Sequence, residues 1–168
     1  MSKIEIRQLT EKDALAYQKI RLEMLQKNPE AFGEAYEESI KKELVFFEDR
    51  IKNSYIAGAF KGSKLIATAG YFIQQGLKSH HKAFLWGVYV QKVYRGQGLC
   101  YDLTLKVLND LPSTVSLIQT AVVSGNLAAE KTYKKAGFKR WAIEEKALFI
   151  NRKYYDEIHM VKFLEEFS

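Results

Sequence analysis

The order of strand and helix patterns along the chain predicts one mixed α/β domain, with about six to seven strands and about four helices. Its 168 residues suit one hydrophobic core, so we expect a single domain over residues 1–168. The apolar run Ala83–Val90 predicts a strand that is covered on both faces and lies near the centre of a sheet. Within that strand, Gly87 indicates a bulge or a close approach of another backbone.

The first half of the chain predicts a strand, two helices and a hairpin. Alternation of apolar and polar residues marks the first strand, and enrichment in Tyr, Ile, Ala and Phe marks the two hairpin strands. Apolar residues three or four apart mark the helices. A glycine-bearing tight turn at Lys61-Gly62-Ser63 joins the last two strands. The predicted elements are a strand around Ile4–Ile6, a helix capped at Thr10 that ends before Asn28, a second helix over Glu37–Ile51, and strands over Ser54–Phe60 and Lys64–Ile73.

The second half of the chain predicts strands that alternate with two helices. Pro112 closes the first of these helices, and Gly137 follows the second as a left-handed cap. The predicted elements are a loop over Gln74–His81, the strand Ala83–Val90, a helix over Gly98–Asp110, a strand over Val115–Val123, a helix over Asn126–Ala136, and strands over Lys139–Ile150 and His159–Phe163.

The charge balance is 26 basic against 20 acidic residues, a formal net charge of +6, which indicates an affinity for phosphate-rich ligands. Nucleic acid is not expected as a partner, because the basic residues form pairs rather than a cluster along one face. The apolar runs are too short to span a bilayer and the N-terminus has no apolar signal core, so we expect a cytoplasmic protein without a membrane partner. A single cysteine, Cys100, excludes an intramolecular disulfide.

A glycine turn between the central strand and the next helix is the first candidate for chemistry. It reads Arg95-Gly96-Gln97-Gly98-Leu99-Cys100. Glycines let the backbone approach an anion, and the free N–H groups and the dipole of a helix start attract negative charge. A pyrophosphate suits this place, although the same pattern also serves as a plain connector. The turn lacks the glycine patterns of a nucleoside-triphosphate loop and of a dinucleotide fold.

The helix that begins at Asn126 is the second candidate. Asn126 and Tyr133 lie seven residues apart, nearly two helical turns, so both side chains project from one face. Taken alone, this pattern favours a capping asparagine and a core tyrosine. Its combination with the glycine turn favours a ligand site.

Together the two motifs resemble the GCN5-related N-acetyltransferase (GNAT) superfamily, whose acetyl-coenzyme A (acetyl-CoA) signature is similar to Arg95–Cys100 after a Val-x-Val strand end. Residues further along the chain that match the family are Asn126, Ala129, Tyr133, Gly137 and Phe138. The resemblance covers nearly the whole chain, from Ile6 to Met160. Two residues depart from it: Cys100 stands where the family usually has Gly or Ala, and Lys92 where a proline is frequent.

The resemblance implies a fold of the GNAT type, acetyl-CoA as cosubstrate, and direct acetyl transfer to a primary amine in a ternary complex. Backbone groups of Val88 and Val90 would pair with the pantetheine arm, and a strand amide near Val90 would stabilise the oxyanion. Tyr133 would act as the general acid that protonates the leaving sulfur. The residues implied to bind the cofactor are Val88, Val90, Arg95, Gly96, Gln97, Gly98, Leu99, Cys100 and Asn126.

The general base and the acceptor stay open. The central strand contains no Asp or Glu, so a water relay or a residue elsewhere would take the proton. By family analogy the acceptor site lies between the loop Pro29–Glu38, the segment before Phe84 and the loop Asn151–Asp156. Carboxylates in these segments favour a cationic amine: Glu34, Glu37, Glu38 and Asp156.

A small-molecule amine is the expected acceptor. The alternatives are a protein or peptide amine, and a non-catalytic module that only binds acetyl-CoA. A homodimer is implied by family habit alone. No metal is expected, because His80, His81 and His159 have no metal-ligand spacing with a neighbouring cysteine or carboxylate pair.

Overall fold

A computed structural model describes residues 3–164 of the chain. Met1, Ser2 and residues 165–168 of the predicted domain lie outside the described part. Seven strands form one sheet: β1 (Ile4–Gln8), β2 (Tyr55–Lys61), β3 (Lys64–Ile73), β4 (Lys82–Val90), β5 (Leu117–Val123), β6 (Lys139–Ile150) and β7 (Lys153–Phe163). Five α-helices accompany it: α1 (Ala14–Lys27), α2 (Tyr36–Ser39), α3 (Leu44–Asn53), α4 (Leu99–Asn109) and α5 (Leu127–Lys135). Three short 3-10 turns cover Glu11–Asp13, Pro29–Ala31 and Lys92–Tyr94.

The sheet is mixed, and its strand order is β1-β2-β3-β4-β5-β7-β6. The first four strands form an antiparallel meander, and β4 and β5 are parallel neighbours. The last two strands form an antiparallel hairpin whose β7 pairs with β5. The apolar strand β4 is therefore the fourth of seven, which confirms its predicted central place.

Two apolar cores lie on opposite faces of the sheet. One contains Leu103 and Val107 of α4 and Tyr133 of α5, and we call this side the α4/α5 face. The other contains Met24 of α1 and Phe47 of α3, and we call it the α1/α3 face. Because both faces are covered at β4, the uninterrupted apolar run of that strand is explained.

Two predicted elements were wrong in extent. The expected helix Glu37–Ile51 is two helices, because α2 ends after Ser39 and the chain turns through exposed, mostly charged residues before α3 begins at Leu44. The last strand begins at Lys153 rather than His159, because Asn151 and Arg152 form a two-residue turn with positive φ angles of 50° and 63°. The expected loop Asn151–Asp156 is therefore this turn followed by the first residues of β7.

Two glycine predictions are confirmed. Gly87 has a φ of +61° and lies where the register between β3 and β4 shifts, as a bulge requires. Gly137 has a φ of +98° directly after α5, as expected for a left-handed cap. Across residues 3–164, none of the helices has both the length and the apolar character needed to cross a membrane.

Candidate active site

A cleft opens between the central strands β4 and β5. Their parallel pairing ends at Phe84 and Gln119, although β4 continues to Val90 and β5 to Val123. The bulge at Gly87 lies just beyond the last pair and helps the two strands to diverge. The second half of β4 consequently has one edge paired with β3 and one edge free of β5.

The free edge of β4 carries backbone amides at the predicted positions. Gln91 N–H donates to Ile66 O on the β3 side at 3.0 Å. Because successive N–H groups of a strand point to opposite edges, the amides of Val90 and Val88 face the cleft. An extended ligand in the cleft can therefore pair with the strand as a further strand would.

The glycine turn after β4 presents a helix N-terminus to the same cleft. Gly96 and Gly98 adopt left-handed φ angles of 78° and 81°, and the first bond of α4 runs from Asp102 N–H to Gly98 O. The amides of the first turn, before Asp102, therefore lack helical acceptors and attract an anion. The Arg95 side chain donates from Nε to Val90 O at 2.9 Å and from Nη2 to Asn28 at 3.2 Å, so it braces the turn against β4.

One cavity of about 710 Å³ joins these features. Its volume lies within the usual range for ligand sites, about 300–1,000 Å³. It is lined by most of the residues predicted to bind the cofactor: Val88, Val90, Arg95, Gly96, Gly98, Leu99, Cys100 and Asn126. Gln97 and Tyr133 are the predicted site residues that do not line it. Wall residues that the motifs did not indicate include Asn28, Phe32 and Tyr155, which tertiary folding brings in from the α1–α2 connection and β7.

Tyr133 lies in the core of the α4/α5 face, beside the cavity wall. Its ring is 5 % exposed and packs 5.7 Å from that of Phe138. Burial, together with the neighbouring Cys100 thiol, raises the pKa of the Tyr133 hydroxyl well above its ordinary value. Burial likewise raises the pKa of the Cys100 thiol to about 11. Both groups are therefore neutral proton donors at neutral pH.

The Asn126 side chain caps helix α5 and also forms part of the cavity wall. Its side-chain oxygen accepts from Ala129 N–H at 3.2 Å, which is the capping contact that the pattern alone favoured. It also lines the cavity. The cap holds the start of α5 at the cleft, opposite the start of α4.

Glu34 was expected to favour a cationic amine, but its carboxylate is engaged inside the protein. Oε2 accepts from Arg21 Nη2 at 2.5 Å and from Arg50 Nη1 at 3.1 Å, and Oε1 accepts from Ser39 Oγ at 2.5 Å. Burial opposes its charge, but these three donors together lower the pKa of Glu34 to about 2. Asp156 accepts from Lys146 N–H at 2.8 Å, and Glu37 and Glu38 are exposed.

Arg21 connects the cavity with a second one, of about 490 Å³, that Trp86, Phe46 and Arg50 help to line. The Arg21 guanidinium carbon lies 5.8 Å from the ring centre of Phe32, in the wall of the first cavity, and 5.2 Å from that of Trp86, in the wall of the second. An added Cβ at Gly87 would lie 3.3 Å from Arg21 Nη1. The buried cation is thus fixed directly beneath the bulge of β4.

A cluster of two carboxylates around His159 was not predicted from the sequence, but the structure has one. The pairing of β6 with β7 brings one carboxylate oxygen each of Glu144 and Glu157 and one ring nitrogen of His159 within 4.8 Å of one another. Glu144 Oε2 lies 2.9 Å from His159 Nε2, so these two side chains form an ion pair or hydrogen bond. The strand spacing Glu157-x-His159 was the one local signal that both side chains share a face.

Comparison with known proteins decides the family. The sequence model described as "Acetyltransferase (GNAT) family" matches residues 18–138, which is most of the chain and includes both motifs. The chain belongs to the GNAT acetyltransferase family. This confirms the resemblance and identifies the protein as an acetyltransferase. A search of curated protein sequences finds no match.

Solved structures of GNAT proteins share the fold over nearly the full chain. An acetyltransferase of the GNAT family from Streptococcus pneumoniae superposes with a TM-score of 0.85 at 20% identity, covering 96% of this chain and 100% of the other. A ribosomal-protein-alanine N-acetyltransferase from Brucella melitensis has a TM-score of 0.83 at 19% identity, with coverage of 95% and 99%. A putative acetyltransferase from Salmonella typhimurium, solved with its cofactor acetyl-CoA, has a TM-score of 0.83 at 15% identity, with coverage of 98% and 96%.

Proposed function

We propose that this GNAT protein transfers the acetyl group of acetyl-CoA to a primary amine by direct attack in a ternary complex. The observation that carries the proposal is the cleft between β4 and β5, which joins free strand amides and an anion-binding helix start at one cavity. The buried phenol of Tyr133 lies behind the cavity wall, next to Cys100. Each of these features suits a different part of one ligand: an amide-bearing arm, a pyrophosphate and a thioester sulfur.

Cofactor binding follows from the cleft edges. Val88 and Val90 would pair with the pantetheine arm through the backbone N–H groups that face the cleft, as in strand addition. The amides at the start of α4, within Arg95–Cys100, would hold the pyrophosphate, and Asn126 would contact the arm from the opposite wall. Arg95 is braced against Val90 O, so its charge would favour the phosphates without a bidentate bond.

In this proposal Tyr133 is the general acid. Its burial keeps the hydroxyl protonated, and its neighbour Cys100 lines the cavity. Proton donation to the departing sulfur avoids a free thiolate, an effect that is typically worth about 10²- to 10⁴-fold. A free amide on β4 would stabilise the oxyanion of the tetrahedral intermediate.

A small-molecule amine is the acceptor that we favour, and a protein or peptide amine is the second candidate. The Brucella relative is named a ribosomal-protein-alanine N-acetyltransferase, which describes a protein acceptor for that enzyme. This name is the reason for keeping a protein or peptide amine as the second candidate here. We also keep the expected cytoplasmic location and a homodimer as proposals that rest on the sequence and on family resemblance.

Turnover with a mixed amine panel tests the proposal. The panel contains free amino acids, aliphatic diamines and short peptides with a free N-terminus, and product is read by mass after reaction with acetyl-CoA. Tyr133→Phe keeps the ring against Phe138 and is expected to lower kcat by about 10²- to 10⁴-fold while acetyl-CoA still binds. Tyr71→Phe removes a buried hydroxyl from the same core but outside the cavity wall, so it is the matched control and should keep the wild-type rate. Unchanged turnover of Tyr133→Phe between pH 6 and 9 would exclude the hydroxyl as the acid.

A further inference from the structure

His159 lies on the side of the sheet opposite to Tyr133. It pairs across the strands with Ala121 of β5, and directly opposed residues share a sheet face. The β5 neighbours Ile118 and Val122 belong to the core of the α4/α5 face, so alternation places Ala121 on the α1/α3 face. His159 is therefore on the α1/α3 face as well.

The same register places His159 next to the point where the cleft opens. Phe84 and Gln119 form the last parallel pair, so Trp86 of β4 and Ala121 of β5 each lie two residues beyond it, where the strands diverge before the bulge at Gly87. The small methyl group of Ala121 leaves room above β5. His159 does not itself line the cavity, and it lies one strand, about 4.8 Å, beyond β5, so it reaches a group bound in the cleft mouth through a bridging water.

Glu144 fixes the proton on the imidazole. An ionised carboxylate only accepts, so the 2.9 Å contact to Nε2 requires that His159 carry its hydrogen there. The Nδ1 lone pair then points broadly away from β6, and within residues 3–164 it has no hydrogen-bond partner. The ring of Trp141 packs edge-on at 5.8 Å and limits rotation of the imidazole.

We propose that His159 is the general base of the acetyl transfer, with Glu144 as the residue that positions it. This inference rests on the proposed function and supplies the base that the central strand lacks. Base and acid then flank the cleft from opposite faces, with His159 on the side of the incoming amine and Tyr133 on the side of the departing sulfur. The amine adds to one face of the thioester carbonyl and the sulfur departs from a different position on the tetrahedral carbon, so separate groups can serve as base and acid.

The proton balance of the reaction assigns each group a step. Through a bridging water, Nδ1 of His159 takes one proton from the ammonium form of the acceptor and passes it to solvent. The nitrogen lone pair then forms the C–N bond at the thioester carbonyl. When the tetrahedral intermediate collapses, the C–S bond breaks, and the sulfur keeps the electron pair and receives the Tyr133 proton. His159 then removes the second amine proton, and a proton returns to Tyr133 through solvent. The sum is ammonium plus thioester giving amide, thiol and one released proton.

Several charged groups surround this base. Glu144 faces it from β6 and Glu157 from its own strand, where burial raises the pKa of the Glu157 carboxyl. Opposite them, the turn Pro29–Ala31 contacts β5 and β6 and contributes Glu30, and Tyr155 lines the neighbouring cavity wall. The negative groups on this side favour binding of a cationic acceptor.

Kinetics of two histidine variants provide the first test. His159→Gln keeps an amide for Glu144 but has no basic nitrogen, and His80→Gln, in an exposed loop, is the matched control. With the best acceptor of the amine panel, His159→Gln is expected to lower kcat/KM by about 10²- to 10⁴-fold and to abolish the acidic limb of its pH profile. The acetyl-CoA-induced rise in Tm and the activity of His80→Gln should match the wild type. A wild-type rate and acidic limb in His159→Gln would overturn the base assignment alone, whereas no turnover by the wild type would refute the proposed function and the base with it.

Nitrogen NMR of the labelled imidazole provides a readout that needs no acceptor. We expect the neutral ring to carry its proton on Nε2 in the wild type, and Glu144→Gln to shift the tautomer population toward Nδ1–H and to lower kcat/KM. The imidazole pKa from the same titration should coincide with the pKa of the acidic limb of kcat/KM. A ring protonated on Nδ1 in the wild type, or a titration that departs from the kinetic limb, would contradict the proposal.

Discussion

A charge placed at Gly98 tests the anion site at the start of α4. Gly98 has a φ of +81°, lines the cavity, and an added Cβ would meet no atom within 4 Å. Gly98→Asp therefore introduces a carboxylate without a clash in the free protein. Gly98→Asn is the matched control, because it has nearly the same size and both residues tolerate left-handed backbone better than most.

The magnitude follows from the charge alone, since strain and volume are shared by the two variants. A carboxylate about 4–5 Å from one phosphate charge costs roughly 3–4 kcal/mol at an effective dielectric constant of about 20. Because 1.4 kcal/mol corresponds to tenfold in Kd, Gly98→Asp should bind acetyl-CoA roughly 100- to 700-fold more weakly than Gly98→Asn.

Thermal unfolding with and without acetyl-CoA measures this difference. At a ligand concentration of about 100 times its Kd, stability rises by about 2.7 kcal/mol, and a domain of this size gains about 2–4 °C per kcal/mol. The acetyl-CoA concentration is set at about 100 times the Kd of Gly98→Asn. The Tm of Gly98→Asn should then rise by roughly 5–11 °C, and that of Gly98→Asp by less than about 2 °C. Equal increases in Tm for the two variants would refute the assignment of phosphate binding to this helix start.

Two further predictions concern the groups around the cavity. Glu34 has a folded pKa of about 2 against an ordinary 4.5, so the stability it contributes is present above about pH 4.5 and is lost as the pH falls toward 2. Chemical denaturation should show that Glu34→Gln removes roughly 3 kcal/mol of the change in unfolding free energy that the wild type shows across this pH window. Glu37→Gln, at an exposed site, should leave that change intact. Equal slopes of unfolding free energy against pH for the wild type and Glu34→Gln would contradict the buried cluster. Cys100, with a pKa of about 11, should react slowly with iodoacetamide at pH 8 and more slowly still with acetyl-CoA bound, as read by mass; rapid labelling in the presence of saturating acetyl-CoA would place the thiol outside the cofactor site.

The strands and most helices could be predicted because their signals are local. Enrichment in Tyr, Ile, Ala and Phe and a glycine turn marked β2 and β3, and the continuous apolar run marked β4 as a strand covered on both faces. The glycine turn and the Asn126 helix were also local patterns, and folding brings both to one cavity.

The remaining features depend on contacts between distant residues. The break between α2 and α3 accompanies the bond from Ser39 to Glu34, and the engagement of Glu34 depends on Arg21 and Arg50 in two other helices. No period in the sequence encodes such partners. The pairing of His159 with Glu144 depends on a register between β6 and β7 that shifts twice, so spacing along the chain could not predict it.

The central claim is that the protein moves an acetyl group from acetyl-CoA to an amine, and product stoichiometry tests it most directly. Purified protein is mixed with acetyl-CoA carrying an isotope label in the acetyl group and with the amine panel, and free thiol and labelled amide are counted together. The account predicts equal amounts of coenzyme A thiol and labelled N-acetyl amine, formed by the wild type and strongly reduced in Tyr133→Phe. Thiol release without labelled amide, or no reaction with any amine although acetyl-CoA raises the Tm, would contradict it.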